Sequence, residues 1–234
     1  MNQIRIRSKS ESVGNERLRN ISKVYIHFNQ NKEESQKSRP PTADYREGGS
    51  FDNMIEPFQS TFKPNEMRCL ALVAHNNMKP LMKEFVEQRK GLLKNFRLTG
   101  TKTTIAMLTS VFEDDKEVVY GPCFNSGPLG GDAEVCALMC QEDLGGVLFF
   151  MDPLQFHPHL CDIETLIRLS NVHNVLLATN RTSAIALCKV LEVALREGRK
   201  DLIPSFFYTL ESTGVTRYKE QQQKKINELK TKEQ

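Results

Sequence analysis

The feature that most constrains this chain is an alternation, repeated five times, of a short strand-like run with a longer stretch of helical periodicity. The runs are Cys69-Leu70-Ala71-Leu72-Val73-Ala74, Phe96-Arg97-Leu98, Val118-Val119-Tyr120, Gly146-Val147-Leu148-Phe149-Phe150-Met151 and Val175-Leu176-Leu177-Ala178-Thr179-Asn180. A continuous apolar run without polar alternation fits a strand buried on both faces of a parallel sheet. Between the runs the sequence predicts helices from about Lys79 to Lys90, with Pro80 in the first turn, and from the 99–104 turn to about Val111. Three more are expected at Ala133 to Met139, at Asp162 to about His173, and at Thr182 to Glu197. The run from Asp162 sets Ile163, Leu166, Ile167 and Leu169 on one helix face. Strand and helix in strict alternation predict a doubly wound α/β domain, a three-layer sandwich around a five-stranded, mostly parallel sheet.

The ends of the chain are of a different kind. Of 234 residues 39% are hydrophobic, but the long apolar runs fall almost wholly between about residues 67 and 210. This predicts a mostly disordered polar extension at 1–66, one folded domain at 67–212 and a charged tail at 213–234. Within the extension, residues 30–50 read as linker, and Val24-Tyr25-Ile26-His27-Phe28 is a short strand-like exception. A net charge of +3 gives no footprint for nucleic acid or an anionic membrane surface. No run is long enough to span a membrane, and the first residues lack a secretory apolar core, so a soluble cytoplasmic protein is expected. The arginines and lysine among the first twenty residues leave an organelle address open. Cys69, Cys123, Cys136, Cys140, Cys161 and Cys188 sit in apolar or strand-like segments, the pattern of free thiols in a reducing compartment.

In open parallel sheets ligands bind beyond the carboxyl ends of the strands. The polar clusters of this chain gather there: His75 and Lys79, Thr99 to Thr103, Ser126 to Asp132, Asp152 to Asp162, and Thr179-Asn180. The stretch Ser126-Gly127-Pro128-Leu129-Gly130-Gly131-Asp132 reads as a turn that bares backbone N–H groups, with Asp132 as the expected N-cap of the next helix. Donors converging at a helix N-terminus suit an anion, phosphate above all.

Several of these motifs together resemble the methylglyoxal synthase family. They are Ala71-Leu72-Val73-Ala74-His75 with Lys79, Thr99-Gly100-Thr101, Ser126-Gly127-Pro128 through Gly130-Gly131-Asp132, Phe149-Phe150-Met151-Asp152-Pro153-Leu154, Pro158-His159 and Ala178-Thr179-Asn180, collinear over about 69–195. The resemblance implies conversion of dihydroxyacetone phosphate to methylglyoxal and inorganic phosphate with no metal and no cofactor. It implies a homo-oligomer, with a hexamer among the forms, and inorganic phosphate as an effector. By the same resemblance Asp132 is the base, His159 the donor to the carbonyl oxygen, and Asp162 a carboxylate that assists proton transfer. His75 and Asp152 fall on further site positions. Lys79, Thr99, Thr101, Ser126 and Gly127 fall on phosphate-binding positions, with Lys102 beside them. Such chemistry needs a base, an electrophile for the developing oxyanion and a clamp on the leaving group.

The sequence departs from the family pattern at three places. The segment Glu113 to Asn125 is longer than usual; Asn76 stands where an aspartate is typical, and the phosphate turn carries Lys102, either in place of a threonine or inserted before Thr103. Asn76 and Lys102 would suit a second reading, a non-catalytic phosphate-binding module resembling the regulatory domain of carbamoyl phosphate synthetase, and a fold kept only for oligomer assembly is a third. A metal reading competes for one loop, where His157, His159, Cys161 and Asp162 form His-x-His-x-Cys-Asp with His173 downstream, but no CxxC or HExxH frame supports it.

Overall fold

A computed structural model of the chain describes residues 59–113 and 115–232. The strand-like segment at 24–28 and the linker at 30–50 lie outside the described residues. Five strands form one sheet: β1 (Cys69–Ala74), β2 (Arg97–Thr101), β3 (Val119–Phe124), β4 (Leu144–Phe150) and β5 (Leu176–Ala178). Their order is β3-β2-β1-β4-β5, and every pairing is parallel. The helices are α1 (Lys79–Glu87), α2 (Lys90–Leu93), α3 (Lys102–Phe112), α4 (Gly131–Cys140), α5 (Leu160–Val172), α6 (Arg181–Glu197) and α7 (Thr213–Lys232).

Burial on both faces explains why β1 and β4 are unbroken apolar runs. Side chains alternate across a strand. Leu70, Leu72 and Ala74 of β1 join one core with Met82, Phe85, Leu108, Leu191 and Leu195 from α1, α3 and α6. Cys69, Ala71 and Val73 join the other core with Val135, Met139, Ile163 and Leu166 from α4 and α5. The sheet is therefore the middle of three layers, as the alternation predicts. Phe149 and Phe150, successive residues of β4, are each fully buried on opposite sides.

The second strand runs on through Thr99 to Thr101, expected as a turn, and two further boundaries differ from expectation for physical reasons. Strand β3 runs four residues past Tyr120, through Gly121 and Pro122. Proline is tolerated there because β3 is an edge strand with one side free of ladder bonds. At the N-terminal side the packed chain begins before Met67: the Thr61 amide and hydroxyl both donate to the Leu195 carbonyl, at 2.9 and 2.8 Å, and Phe62 packs on the core. Helix α7 is exposed along its length up to residue 231 apart from Val215 and Gln222. Among the described residues no helix is long and apolar enough to cross a membrane.

The topology fixes where a ligand crevice forms. The chain steps outward from β1 to β2 to β3, then returns across the sheet to β4 beside β1. That reversal opens the carboxyl ends of β1 and β4 side by side, the switch point of an open α/β sheet.

Candidate active site

His75 follows directly on β1, and the loop from Met151 to His159 follows on β4. The backbone of Asp152 joins the two. Its N–H donates to Nδ1 of His75 at 2.9 Å, and its carbonyl lies 3.1 Å from Nε2 of His157. The His75 and His157 rings stack with centroids 3.6 Å apart and planes 27° from parallel, while Phe149 meets His75 edge-on at 5.0 Å. His75 is 7% exposed, and its Nε2 has no hydrogen-bond partner. Burial first, then His157 and His159, push its pKa down to about 4, against the opposing pull of Asp152.

Asp132 enters the same space from the first turn of α4. The residue is 1% exposed, neither carboxylate oxygen has a hydrogen-bond partner, and Oδ2 lies 3.3 Å from Nε2 of His159. Burial raises its pKa above the ordinary carboxylate value, His159 opposes the rise, and Asp162 adds to it. The expected capping role of Asp132 is thus corrected. The N-cap is Gly130, held at φ 92°, and Asp132 makes no cap bond. A left-handed residue at that point turns the chain so sharply that the aspartate sits inside the helix and points inward. Asp162 is likewise no cap: α5 starts after His159, and Asp162 lies in its first turn with its N–H on the His159 carbonyl at 3.0 Å.

Gly127 supplies the room. A Cβ there would stand 2.9 Å from both Oδ2 of Asp132 and Nε2 of His159, closer than side chains tolerate. The glycine turn is less open than its composition suggests. The N–H groups of Leu129 and Gly131 bond the Ser126 carbonyl, and that of Gly130 bonds the Gly127 carbonyl. Ser126 itself is half-buried beside Gly127.

The expected phosphate residues divide into two groups. Lys79 Nζ donates to Asn76 Oδ1 at 2.7 Å and Lys102 Nζ to Asn125 Oδ1 at 3.2 Å, so both ammonium groups rest on neutral amides at the carboxyl edge of the sheet. Partial burial lowers the Lys79 pKa. The two threonines face inward instead. Thr99 is fully buried and its hydroxyl donates to the Pro122 carbonyl of β3, while the Thr101 hydroxyl pairs with Thr104 at 3.1 Å. Asp152 sits at the surface, where its side chain takes Asn77 Nδ2 at 2.9 Å and the Leu154 amide at 3.1 Å. Those bonds hold its carboxyl below the usual range.

The three imidazoles of His75, His157 and His159 offer nitrogen atoms all within 4.8 Å of one another, a different set from the His157, His159, Cys161 and Asp162 frame. The His75 tautomer does not suit a metal. Because Nδ1 accepts the Asp152 N–H, the proton of the neutral ring is on Nε2, and the nitrogen facing the cluster has no lone pair to give.

The chain was compared with known proteins. No family profile matches it. Methylglyoxal synthase of Enterococcus faecalis is 37% identical over 131 residues, covering 56% of this chain and 90% of the relative. That of Rhizobium etli is 35% identical over 125 residues, covering 53% and 96%. The chain belongs to the methylglyoxal synthase family. A solved methylglyoxal synthase from Elizabethkingia anophelis aligns at 32% identity and a TM-score of 0.45, covering 53% of this chain and 78% of that one.

Two residues placed at this site escaped the sequence reading. His157 was legible only as a metal ligand, although the spacing His157-x-His159 in an extended loop is a usable signal that the two work from one segment. Glu134 accepts the Asn125 amide at 2.6 Å and its side-chain Nδ2 at 3.0 Å, fixing the residue on which Lys102 rests. Nothing in the local pattern distinguishes Glu134 from a solvated first-turn acid.

Proposed function

We propose that this chain is a phosphate-eliminating carbon–oxygen lyase that converts dihydroxyacetone phosphate to methylglyoxal and inorganic phosphate. The observation that carries the reading is Asp132: a buried carboxylate whose oxygens make no hydrogen bond, its basicity raised by burial, 3.3 Å from an imidazole and against a glycine whose missing Cβ lets the two side chains approach. A buried carboxylate without hydrogen bonds destabilises a fold, and perturbed groups of this kind mark sites of chemistry.

In this reading Asp132 takes a proton from the hydroxymethyl carbon beside the substrate carbonyl. The electron pair moves onto the carbonyl oxygen, where His159 and the Nε2–H of His75 stand as donors to the enediolate. Collapse of the enediolate breaks the carbon–oxygen bond to phosphate on the neighbouring carbon, and the enol left behind becomes methylglyoxal. Lys79 and Lys102 supply positive charge for the phosphate, with Ser126 and Gly127 at the turn between it and the base. Thr99 and Thr101 support that edge through their bonds inside the fold. Asp162 raises the basicity of Asp132, and Asp152 orders the loop through its backbone and through Asn77.

The test is release of methylglyoxal and phosphate from dihydroxyacetone phosphate by the purified full chain with a chelator present. The reading expects chelator-resistant release of both products in equal amounts. No release, with phosphate or phosphorylated compounds still raising the melting temperature, would contradict it and favour the non-catalytic phosphate-binding module that Asn76 and Lys102 suit.

A further inference from the structure

We propose that His157 is a positioning residue for this reaction: stacked on His75 and held, like it, by the backbone of Asp152, it fixes His75 as an Nε2–H donor at the switch point. The inference rests on the lyase reading above. The Asp152 N–H occupies Nδ1 of His75 at 2.9 Å, which places the proton of the neutral ring on Nε2. A carbonyl can only accept, so at 3.1 Å from the Asp152 oxygen Nε2 of His157 is the donor. The backbone of one residue therefore sets both tautomers, and the 3.6 Å stack holds the two rings against each other.

The stack also disfavours charge. Two imidazolium rings face to face would repel in a space nearly closed to water, so His157 keeps its neighbour neutral across the working range. The groups facing His75 are His157, His159 and Asp152 from the loop after β4, with the Phe149 ring edge from β4 itself. Asp152 alone pulls toward the charged form, and its carboxylate is turned to Asn77 and Leu154 at the surface. A neutral donor suits an oxyanion-forming step, because it stabilises the developing charge without first binding the substrate phosphate as a competing cation.

The experiment uses the full chain labelled with ¹⁵N, read by imidazole resonances across pH and by kcat/KM for dihydroxyacetone phosphate across the same range. In the wild type, His75 is expected as the Nε2–H tautomer with a titration midpoint near the lowered value of about 4. His157→Val should move that midpoint, and with it the acid limb of kcat/KM, to higher pH, and lower kcat about tenfold with KM held. His157→Gln keeps an N–H for the Asp152 carbonyl and should fall between the two. A proton on Nδ1 of His75, or an unchanged midpoint in both variants, would overturn the proposal, as would Zn²⁺ alone ligating His75 through Nε2. A wild type with the expected tautomer but no turnover would break the lyase reading instead, while turnover with an unmoved midpoint breaks the positioning role alone.

Discussion

The two ends of the sheet handle polar groups in opposite ways. At the amino-terminal end, Arg68 donates to the carbonyls of Ser205 and Tyr208 at 3.3 and 2.8 Å and to the Thr209 hydroxyl at 3.0 Å. Arg97 pairs with Asp143, and the buried Ser205 hydroxyl donates to the Gly145 carbonyl at 2.7 Å. At the carboxyl end, His75, Asp132 and His159 hold four of the six buried side-chain nitrogen and oxygen atoms that lack a hydrogen bond among the described residues. Arg97 Nε, at the start of β2, is another of the six; buried polar atoms are normally satisfied, so the amino-terminal end is built mainly for stability and the carboxyl end leaves more groups free for a ligand. Stability and reactivity are segregated along the strand direction of a single sheet.

The sharpest way to break that contrast is Asp132→Asn. Turnover should fall about 10²- to 10⁴-fold. The melting temperature should hold or rise, because a buried carboxylate of raised pKa is replaced by a neutral amide. Thermal melting beside a phosphate-release assay checks both halves. Gly127→Ala should come next. Its Cβ would force apart Asp132 and His159, with a loss of about 10²-fold in kcat and a small change in melting temperature.

The pH dependence of stability sharpens the same contrast. His75 has a lowered pKa in the fold, so the stability tied to its neutral form is present above the ordinary value of 6.5 and lost as pH falls toward about 4. Asp132 runs the other way: its raised pKa means its contribution is present at low pH and lost as pH rises through the raised value. Urea denaturation across pH should therefore show a fall below 6.5 that is flattened in His75→Gln. The smallest effect on catalysis belongs to the amino-terminal end. Ser205→Ala should lower stability by about 1 kcal/mol, the cost of an orphaned Gly145 carbonyl, and leave kcat unchanged.

Much of the fold was legible because burial on two faces leaves an unmistakable imprint. Cys69 to Ala74 and Leu144 to Phe150 are buried at every position, and a strand with no solvent face has no place for polar alternation. β3 was half-read, since an edge strand with Gly121 and Pro122 carries a weaker imprint. The gathering of His75, Asp132 and His159 at strand ends was also legible in outline, because the alternation itself dictates where strand ends converge. Side-chain direction was not. Thr99 and Thr101 look alike to Ser126 in sequence, yet their hydroxyls turn to Pro122 on the neighbouring strand and to Thr104 in the first turn of α3. Asp132 looked like a cap because spacing cannot show that Gly130 takes the left-handed turn two residues earlier. The stack of His157 on His75 joins residues far apart in sequence and exists only once β1 and β4 are neighbours.

The central claim is that the unpartnered carboxylate of Asp132 removes the substrate proton. It is tested most directly by dihydroxyacetone phosphate deuterated at its hydroxymethyl carbon, with loss of deuterium to solvent followed for the full chain and for Asp132→Asn side by side. The account predicts deuterium loss with the wild type and a rate at least about 100-fold lower with the variant, while phosphate still raises the melting temperature of both. Loss of deuterium at equal rates from the two proteins, or loss of phosphate binding together with turnover, would contradict it.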